Sequence, residues 1–233
     1  MNIMEWKKEL LTKIEFENIS NREKKEIIAK RIAEKVKDGD IIGFGSGSTS
    51  YLAAIEIAKV IKQKNINITA IPTSYEMKLL CSSYNIKTCS LLEKKPDWSF
   101  DGADEVDKND WLIKGRGGAM FKEKLNMVNS KITYILIDES KVVDKLGSKF
   151  SIPVECYSDS LNYVKEELIM LGAKQVEIRK AIAKDGPIFT ENNNIILDAK
   201  FEQIEEHLEK DIKSITGVVE SGLFIGYNVQ ILK

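Results

Sequence analysis

Apolar positions along this chain repeat with two different periods, which predicts helices alternating with short strands. Apolar residues spaced three and four apart predict a helix over residues 20–38, and Ser20 with Glu23 has the spacing of a capping box at its start. Short runs of consecutive apolar residues predict buried strands where glycine, proline or aspartate bounds them. In the first 146 residues, further helices are predicted at 74–84, at 119–130 and after a loop at 43–50, and strands at 40–44, 67–72 and 132–137.

The helix predicted at 119–130 lies next to most of the candidate chemistry, so its inward face matters. Met120, Leu125 and Val128 are its regularly spaced apolar residues, and we expect these three to face the core. Glu123 then falls in the first turns of the helix.

After Leu146-Gly147 the order of the predicted elements changes. The pattern predicts strand, helix, two strands, helix and strand, in that order, at 150–156, 161–171, 175–182, 194–198, 201–210 and 215–220. Such a βαββαβ order indicates a small α+β domain of about 70 residues. The apolar stretch at 222–232 is expected to return to the first domain. We therefore predict a catalytic domain of residues 1–146 and 219–233, and a smaller lid domain of residues 147–218.

Composition narrows the class of protein. The chain has 233 residues and a net charge of −1, so nothing in its charge indicates a nucleic-acid or anionic-membrane partner. No apolar run approaches 18 residues, so we expect no membrane span. The first 19 residues are charged and carry Glu5 and Glu9, which is unlike a signal peptide. We interpret them as an extra amphipathic helix or a loosely attached extension.

Cysteine and histidine usage argues against several kinds of site. Cys81, Cys89 and Cys156 are odd in number and lack metal-ligand spacing, so we expect reduced thiols and a cytoplasmic location. The single histidine, His207, lies in a stretch that resembles a helical surface and has no partner pattern. A catalytic triad and a histidine-based metal site are therefore not expected, and we predict no metal.

The loop GFGSGSTS at residues 43–50 follows a predicted strand and precedes a predicted helix. Such a loop directs backbone N–H groups and the positive end of a helix dipole towards an anion, and phosphate suits it. Ser46, Ser48 and Thr49 add hydroxyl groups. The alternative is a helix start capped by Ser48 or Thr49. The loop lacks the lysine of a P-loop and the third glycine of a dinucleotide site.

A polar stretch at residues 101–123 carries further candidate groups. Asp101, Asp104 and Glu123 are candidate acids, bases or hydroxyl acceptors, and Lys114 is a candidate partner for negative charge. The glycines at 115, 117 and 118 permit positive φ angles and a close approach of the backbone to a ligand.

Two apolar runs, around Trp98 and Trp111, flank these polar residues and are predicted to be buried strands. The polar groups would then lie at strand ends, where α/β sheets bind ligands. The alternative is a surface hairpin with solvated acids. Lys114, the glycines and Glu123 together favour the site. Lys141, after the strand at 132–137, is either another ligand for an anion or a surface lysine.

Six segments in order give the chain a family resemblance. They read GFGSGST (43–49), DGADEVD (101–107), KGRGGAMFKEK (114–124), LIDESK (136–141), GSKFSIPVE (147–155) and GVVESGLF (217–224). This set resembles the ribose-5-phosphate isomerase, type A family. The resemblance implies an α/β fold, with a Rossmann-like domain and an inserted smaller α+β (ferredoxin-like) domain. It implies interconversion of D-ribose 5-phosphate and D-ribulose 5-phosphate without metal or organic cofactor, in a homodimer or tetramer.

The resemblance also implies roles for particular residues. Glu123 matches the family's general base, and Asp101, Asp104 and Lys114 are the other expected catalytic groups. The expected substrate-binding residues are Lys25, Ser46, Gly47, Ser48, Thr49, Asp101, Gly102, Ala103, Asp104, Lys114, Gly115, Arg116, Gly117 and Lys141. Arg116 stands where the family often has glycine, which would either alter the loop or add a cation at the pocket.

Two other classes of function remain open from the sequence. A non-catalytic sugar-phosphate regulator would need the phosphate loop but neither Glu123 nor Lys114. A CoA-transferase-like protein would have a related architecture and a catalytic glutamate. Formation of ketose from ribose 5-phosphate distinguishes all three.

Overall fold

The computed structural model describes residues 16, 18–182 and 185–233, so the predicted N-terminal helix or extension lies almost entirely outside the described residues. Within them the chain forms two compact units. The first contains the described residues up to Gly102 together with 125–139 and 228–233, and the second contains 103–124 and 140–227. These units divide the chain differently from the predicted domains, chiefly because residues 103–124 belong to the second unit. The predicted domain boundaries stay a prediction.

The first unit is built on a parallel six-stranded sheet. Its strands are β1 Ile41–Phe44, β2 Thr69–Pro72, β3 Lys87–Thr88, β4 Trp98–Asp101, β7 Thr133–Leu136 and β13 Val229–Leu232. They lie in the order β13-β7-β4-β1-β2-β3, and every neighbouring pair is parallel. Helices α1 Arg22–Ala33, α2 Ser48–Lys64 and α3 Tyr75–Ser83 accompany the strands. Parallel strands joined through helices make this the expected Rossmann-like α/β unit.

The second unit contains a four-stranded antiparallel sheet and a smaller sheet. Strands β8 Ile152–Cys156, β9 Gln175–Ile178, β10 Ile195–Lys200 and β11 Val218–Ser221 lie in the order β11-β8-β10-β9. Helix α5 Leu161–Met170 connects β8 to β9, and α6 Leu208–Ser214 connects β10 to β11. This is the predicted βαββαβ arrangement. The smaller sheet joins β5 Glu105–Val106, β6 Leu112–Ile113 and β12 Leu223–Phe224 in the order β12-β6-β5.

Each unit has its own apolar core. In the second unit, the core forms because alternate side chains along a strand point to the same face of the sheet. Ile152, Val154 and Cys156 of β8 are buried on one face with apolar residues of β10, α5 and α6. The intervening residue Glu155 is also fully buried, so the opposite face of the sheet is covered as well. That second face of the sheet carries polar side chains, and the glycine turn at residues 115–118 packs against this sheet.

The first helix departs from its predicted start. Its N-cap is Asn21, in the left-handed region at φ +53° and without a side-chain cap, so the predicted Ser20–Glu23 capping box is wrong. The Ser20 hydroxyl instead accepts a hydrogen bond from Lys25 Nζ at 3.4 Å. The helix also ends at Ala33, although Val36 is buried as expected.

The inward face of α4, Met120–Asn129, was predicted incorrectly in part. Met120 is fully buried, but Val128 is 55 % exposed. Glu123, Lys124 and Asn126 take buried positions instead. Glu123 pairs with Lys114, Lys124 pairs with Glu209, and the Asn126 side-chain nitrogen donates to the Ile71 carbonyl, and such partners allow polar residues to displace the apolar stripe.

The predicted helix at 201–210 is also wrong, because the helix in this region is α6 at Leu208–Ser214. Phe201 is buried directly after β10, and Leu208 and Ile212, four residues apart, form the buried face of the helix. His207 precedes the helix, and its side chain is 70 % exposed. None of the helices formed by the described residues has both the length and the apolar character that a bilayer span requires.

Candidate active site

In the first unit, the glycine loop ends on the first turn of α2. Gly47 is the N-cap at φ +87°, a conformation that favours glycine, and Ser48 and Thr49 are already helical. The alternative of a helix capped by the Ser48 or Thr49 side chain is therefore wrong. The first turn contains no acidic residue, so its N–H groups present positive potential to an anion.

A buried lysine lies beside this helix start. Lys25 of α1 is only 4 % exposed, and its Nζ donates to Ser48 Oγ at 3.1 Å. A buried ammonium is costly unless negative charge or acceptors surround it. Lys25 therefore places a positive group next to the N–H groups that begin α2.

Ser46 and Asp101 connect the glycine loop to the end of β4. Asp101 Oδ1 accepts from the backbone N–H of Ser46 at 3.2 Å and of Gly102 at 2.8 Å. The Thr73 hydroxyl donates to the Phe44 carbonyl, so the Ser46 hydroxyl, 2.7 Å away, donates to Thr73. The polar groups of Ser46 thus brace the loop.

Gly45 allows Asp101 to lie against this loop. A Cβ at this position would come within 2.3 Å of the Asp101 carboxyl group and 2.6 Å of its Cα. No side chain fits at such a distance, so the loop and the buried carboxyl group depend on this glycine.

In the second unit, Lys114 and Glu123 form a buried ion pair. Lys114 Nζ lies 3.1 Å from Glu123 Oε2, and the two side chains are 3 % and 7 % exposed. Lys114 follows β6, and its backbone N–H donates to the Gly222 carbonyl at 2.8 Å. Glu123 lies in the first turn of α4. A carboxylate and an ammonium held together in this way can move a proton and stabilise developing negative charge.

Lys124, the next residue, anchors this end of α4 through a buried charge network. Its Nζ donates to Glu209 Oε1 at 2.6 Å, to Glu220 Oε1 at 2.9 Å and to the Leu223 carbonyl at 2.9 Å. Burial acts to raise the pKa of Glu220, but the Lys124 charge and hydrogen bonds outweigh it, and the pKa lies below its ordinary value. Burial and the Glu209 carboxylate raise the pKa of Tyr227, whose hydroxyl donates to Glu209.

The glycine segment after Lys114 forms a tight turn. Gly115 and Gly118 have positive φ angles, as expected, whereas Gly117 does not. The Gly118 N–H donates to the Gly115 carbonyl at 3.0 Å. Asp104 Oδ2 accepts from the backbone N–H of Arg116 at 3.2 Å, which brings together two residues of the predicted set.

Arg116 and Lys141 share an aromatic neighbour. The Arg116 guanidinium and Lys141 Nζ lie 5.6 Å and 5.5 Å from the centre of the Phe150 ring. The φ angle of Arg116 is not in the left-handed region, so an arginine fits this turn without strain. Ala103 is half-buried at the start of the second unit.

The neighbouring acid Glu105 has a structural role. It is fully buried, and its carboxylate accepts from the backbone N–H groups of Gly147, Lys149 and Phe150 at 2.6–2.7 Å. Three such bonds satisfy the charge and fix the loop before β8. Sequence reasoning assigned no role to Glu105.

Sequence reasoning also missed Thr73, Lys124 and Arg179. Lys124 lies in the segment KGRGGAMFKEK and Glu220 in GVVESGLF, so two family-like segments held a signal for this ion network. Thr73 and Arg179 lie outside all six segments, and only tertiary contacts identify them.

The thiols are poor nucleophiles. Burial raises the pKa of Cys81 to about 12 and that of Cys156 to about 11. Burial and Glu93 also raise the pKa of Cys89. All three are free and stay protonated at neutral pH. Across residues 18–182 and 185–233, no cluster of three or more histidine, cysteine, aspartate or glutamate side chains is arranged to hold a metal ion.

Comparison with known proteins supports the resemblance. The sequence model of the family described as ribose 5-phosphate isomerase A (phosphoriboisomerase A) matches residues 69–232. The ribose-5-phosphate isomerase A of Methanocaldococcus jannaschii is 42 % identical over 209 residues, which cover 88 % of this chain and 92 % of that protein.

Solved structures give the same result. The structure of the Methanocaldococcus jannaschii isomerase has a TM-score of 0.88 at 40 % identity, covering 91 % of this chain and 95 % of that one. A D-ribose-5-phosphate isomerase in complex with phospho-erythronic acid has a TM-score of 0.87 at 37 % identity, with the same coverage. The chain described here therefore belongs to the ribose 5-phosphate isomerase A family.

Proposed function

We propose that this protein interconverts D-ribose 5-phosphate and D-ribulose 5-phosphate, with Glu123 as the general base. The observation that carries the assignment is the buried pair of Lys114 and Glu123, 3.1 Å apart, in a chain of this isomerase family. The reaction moves one proton between C1 and C2 of the open-chain sugar. A single carboxylate can remove the proton from C2 of the aldose and return it to C1.

The intermediate of this transfer is an enediolate, whose oxygens carry negative charge. Lys114 lies beside the base and is the group we assign to stabilise that charge. Preorganised donors of this kind are worth about 3–4 kcal/mol in other enzymes. Since the reaction involves no net oxidation, acid and base groups of the protein suffice, and we propose that neither metal nor organic cofactor is required.

We assign the phosphate of the substrate to the helix start of the first unit. The N–H groups at Gly47, Ser48 and Thr49 are the proposed donors, and the buried Lys25 ammonium beside Ser48 is the proposed counter-charge. Binding energy from the phosphate, remote from the reacting carbons, would orient the sugar for proton transfer.

We propose a specific role for most of the other predicted site residues. Asp101 is the proposed carrier of the proton during ring opening, and Asp104 the proposed acceptor from sugar hydroxyls. Gly115 and Gly117 offer backbone groups, and Arg116 and Lys141 offer cations that flank Phe150. Ser46 and Gly102 act by holding the Asp101 carboxylate.

A non-catalytic regulator and a CoA-transferase-like protein are not favoured. A regulator needs no buried pair of base and ammonium, yet the chain keeps one at the cost of desolvating both charges. The compared relatives and structures reported above carry the isomerase name and cover most of the chain.

The direct test is to incubate the protein with D-ribose 5-phosphate and measure formation of D-ribulose 5-phosphate, with and without a chelator. We expect turnover in both, and deuterium at C1 when the reaction runs in D₂O. Absence of ketose would contradict the isomerase assignment. Turnover that disappears with the chelator and returns with a metal ion would contradict the cofactor-free mechanism.

We also propose a cytoplasmic homodimer or tetramer that acts in the non-oxidative pentose phosphate pathway. The free thiols support a reducing compartment. Exposed apolar residues on α5, among them Tyr163, Ile169 and Met170, support burial in an assembly. Light scattering at micromolar concentration measures the oligomer, and a monomer would contradict it.

A further inference from the structure

Arg179 of the second unit donates hydrogen bonds to the backbone of the turn that follows Lys114. Its Nη1 donates to the Gly115 carbonyl and to the Arg116 carbonyl, each at 2.8 Å. One guanidinium nitrogen thus bonds two consecutive peptide oxygens. The turn lies on the second unit's own four-stranded sheet, since a Cβ on Gly118 would contact Ile196 Cδ1 at 3.1 Å.

Asp198 holds the guanidinium in place. Arg179 Nε donates to Asp198 Oδ2 at 2.9 Å, and Nη2 donates to Asp198 Oδ1. The ion pair is therefore bidentate, and its side chains are 16 % and 29 % exposed. Asp198 lies within β10 and Arg179 directly follows β9, whose residues pair with those of β10. A rigid sheet thereby determines where Nη1 points.

The hydrogen bonds from Arg179 to these two carbonyls also determine the direction of two N–H groups. None of the described peptide bonds is cis, and in a trans peptide the N–H points opposite to the C=O. The N–H groups of Arg116 and Gly117 therefore point away from Arg179. The first of them reaches Asp104 Oδ2 at 3.2 Å, as this geometry requires.

The second N–H group, on Gly117, is left for a ligand. Gly117 is exposed, a Cβ there would meet no atom within 4 Å, and its N–H donates to no group of the described residues. We infer that Arg179, held by Asp198, is a positioning residue that aims the Gly117 N–H and Lys114 at an anionic oxygen of the reacting sugar. This inference rests on the proposed isomerase function and extends it to residues outside the family-like segments.

The test compares Arg179→Met, which keeps an unbranched apolar stem but removes the guanidinium donors, with Lys180→Met. Lys180 is the adjacent exposed residue, so the control removes one positive charge at nearly the same place. Each variant is assayed for kcat and KM with ribose 5-phosphate, for affinity towards inorganic phosphate and phospho-erythronic acid, and for Tm. The carboxylate of phospho-erythronic acid shares negative charge over two oxygens, as the enediolate does.

We expect Arg179→Met to lower kcat about tenfold and to lower the affinity for phospho-erythronic acid to a similar degree. Losses of this size are typical when an oriented donor is removed. Its affinity for inorganic phosphate should stay within about twofold, because the proposed phosphate site uses other residues. Arg179→Lys should restore part of kcat, since an ammonium can still donate to a carbonyl. Lys180→Met should change each quantity less than about twofold.

Three results would overturn the inference: unchanged kcat in Arg179→Met, an equal loss in Lys180→Met, or a parallel loss of inorganic phosphate binding. If Arg179→Met does not fold, Asp198→Asn, which releases the guanidinium, replaces it and should lower kcat about threefold or more. A wild-type protein without turnover would refute the proposed function instead. The affinity of phospho-erythronic acid in the wild type and in Arg179→Met would still decide the role of Arg179.

Discussion

The two units hold their candidate groups in different ways. In the first unit the donors are backbone N–H groups of one continuous segment, residues 47–49, set by a glycine N-cap and a helix. In the second unit the candidate groups are the Lys114 ammonium and the Glu123 carboxylate, which pair with each other, and the backbone of Lys114 is held by the Gly222 carbonyl, far away in sequence. A backbone site is therefore encoded locally, whereas a side-chain site depends on packing across the unit.

The largest expected effect comes from the side-chain site. Glu123→Gln should keep the fold but lower kcat by about 10²–10⁴, since an amide cannot accept the proton from carbon. Steady-state kinetics measures the change, and Glu166→Gln on the exposed surface of α5 is the matched control. Near-normal kcat in Glu123→Gln would show that another group is the base.

Lys124→Met tests the network that anchors the side-chain site. The substitution removes the buried cation that Glu209 and Glu220 share, and it leaves Glu220 only its pair with the more exposed Lys213. Loss of one partner of a buried pair typically lowers the free energy of unfolding by about 3–5 kcal/mol. Lys59→Met, which removes an exposed pair with Glu56 on α2, should lower it by less than about 1 kcal/mol. Urea denaturation measures both free energies of unfolding. Equal decreases in the two variants would contradict the expectation that the buried pair contributes more than the exposed one.

Gly45→Ala and Gly222→Ala apply the same change to both regions. A Cβ would lie 2.3 Å from the Asp101 carboxyl group in the first case, and 2.1 Å from the Lys114 carbonyl oxygen in the second. Each should lower the free energy of unfolding by about 1–3 kcal/mol through overpacking. We expect Gly222→Ala to reduce kcat more, because it displaces Lys114. A larger loss of kcat in Gly45→Ala would reverse that ranking.

The smallest effect is a pH dependence at Glu220. Its pKa is lowered in the folded protein, so its ionisation stabilises the fold above the ordinary pKa of 4.5, and this contribution is lost as the pH falls through the lowered value. The difference in Tm between the wild type and Glu220→Gln should therefore shrink as the pH falls from 7 to 3. A constant difference would show that the Glu220 charge contributes nothing.

Several elements were predictable because the pattern that encodes them is local. The strand, glycine loop and helix around residues 41–64 required only apolar runs and glycine chemistry, and the βαββαβ order after residue 146 followed in the same way. The inward face of α4 was not predictable by this route. Lys124 and Asn126 displace Val128 only because Glu209 and the Ile71 carbonyl, far away in sequence, lie where they can bond them.

The sequence by itself determined the fold class, the family and the segments that carry the proposed groups, because periodicity and motif order are properties of neighbouring residues. Only the tertiary structure brought Lys114 to Glu123, joined Lys124 to two distant carboxylates and placed Arg179 on the turn after Lys114. A buried charge is stable only beside partners of the right sign and geometry. Those partners come from helices and strands that meet only after folding, and no local pattern records which of them will meet.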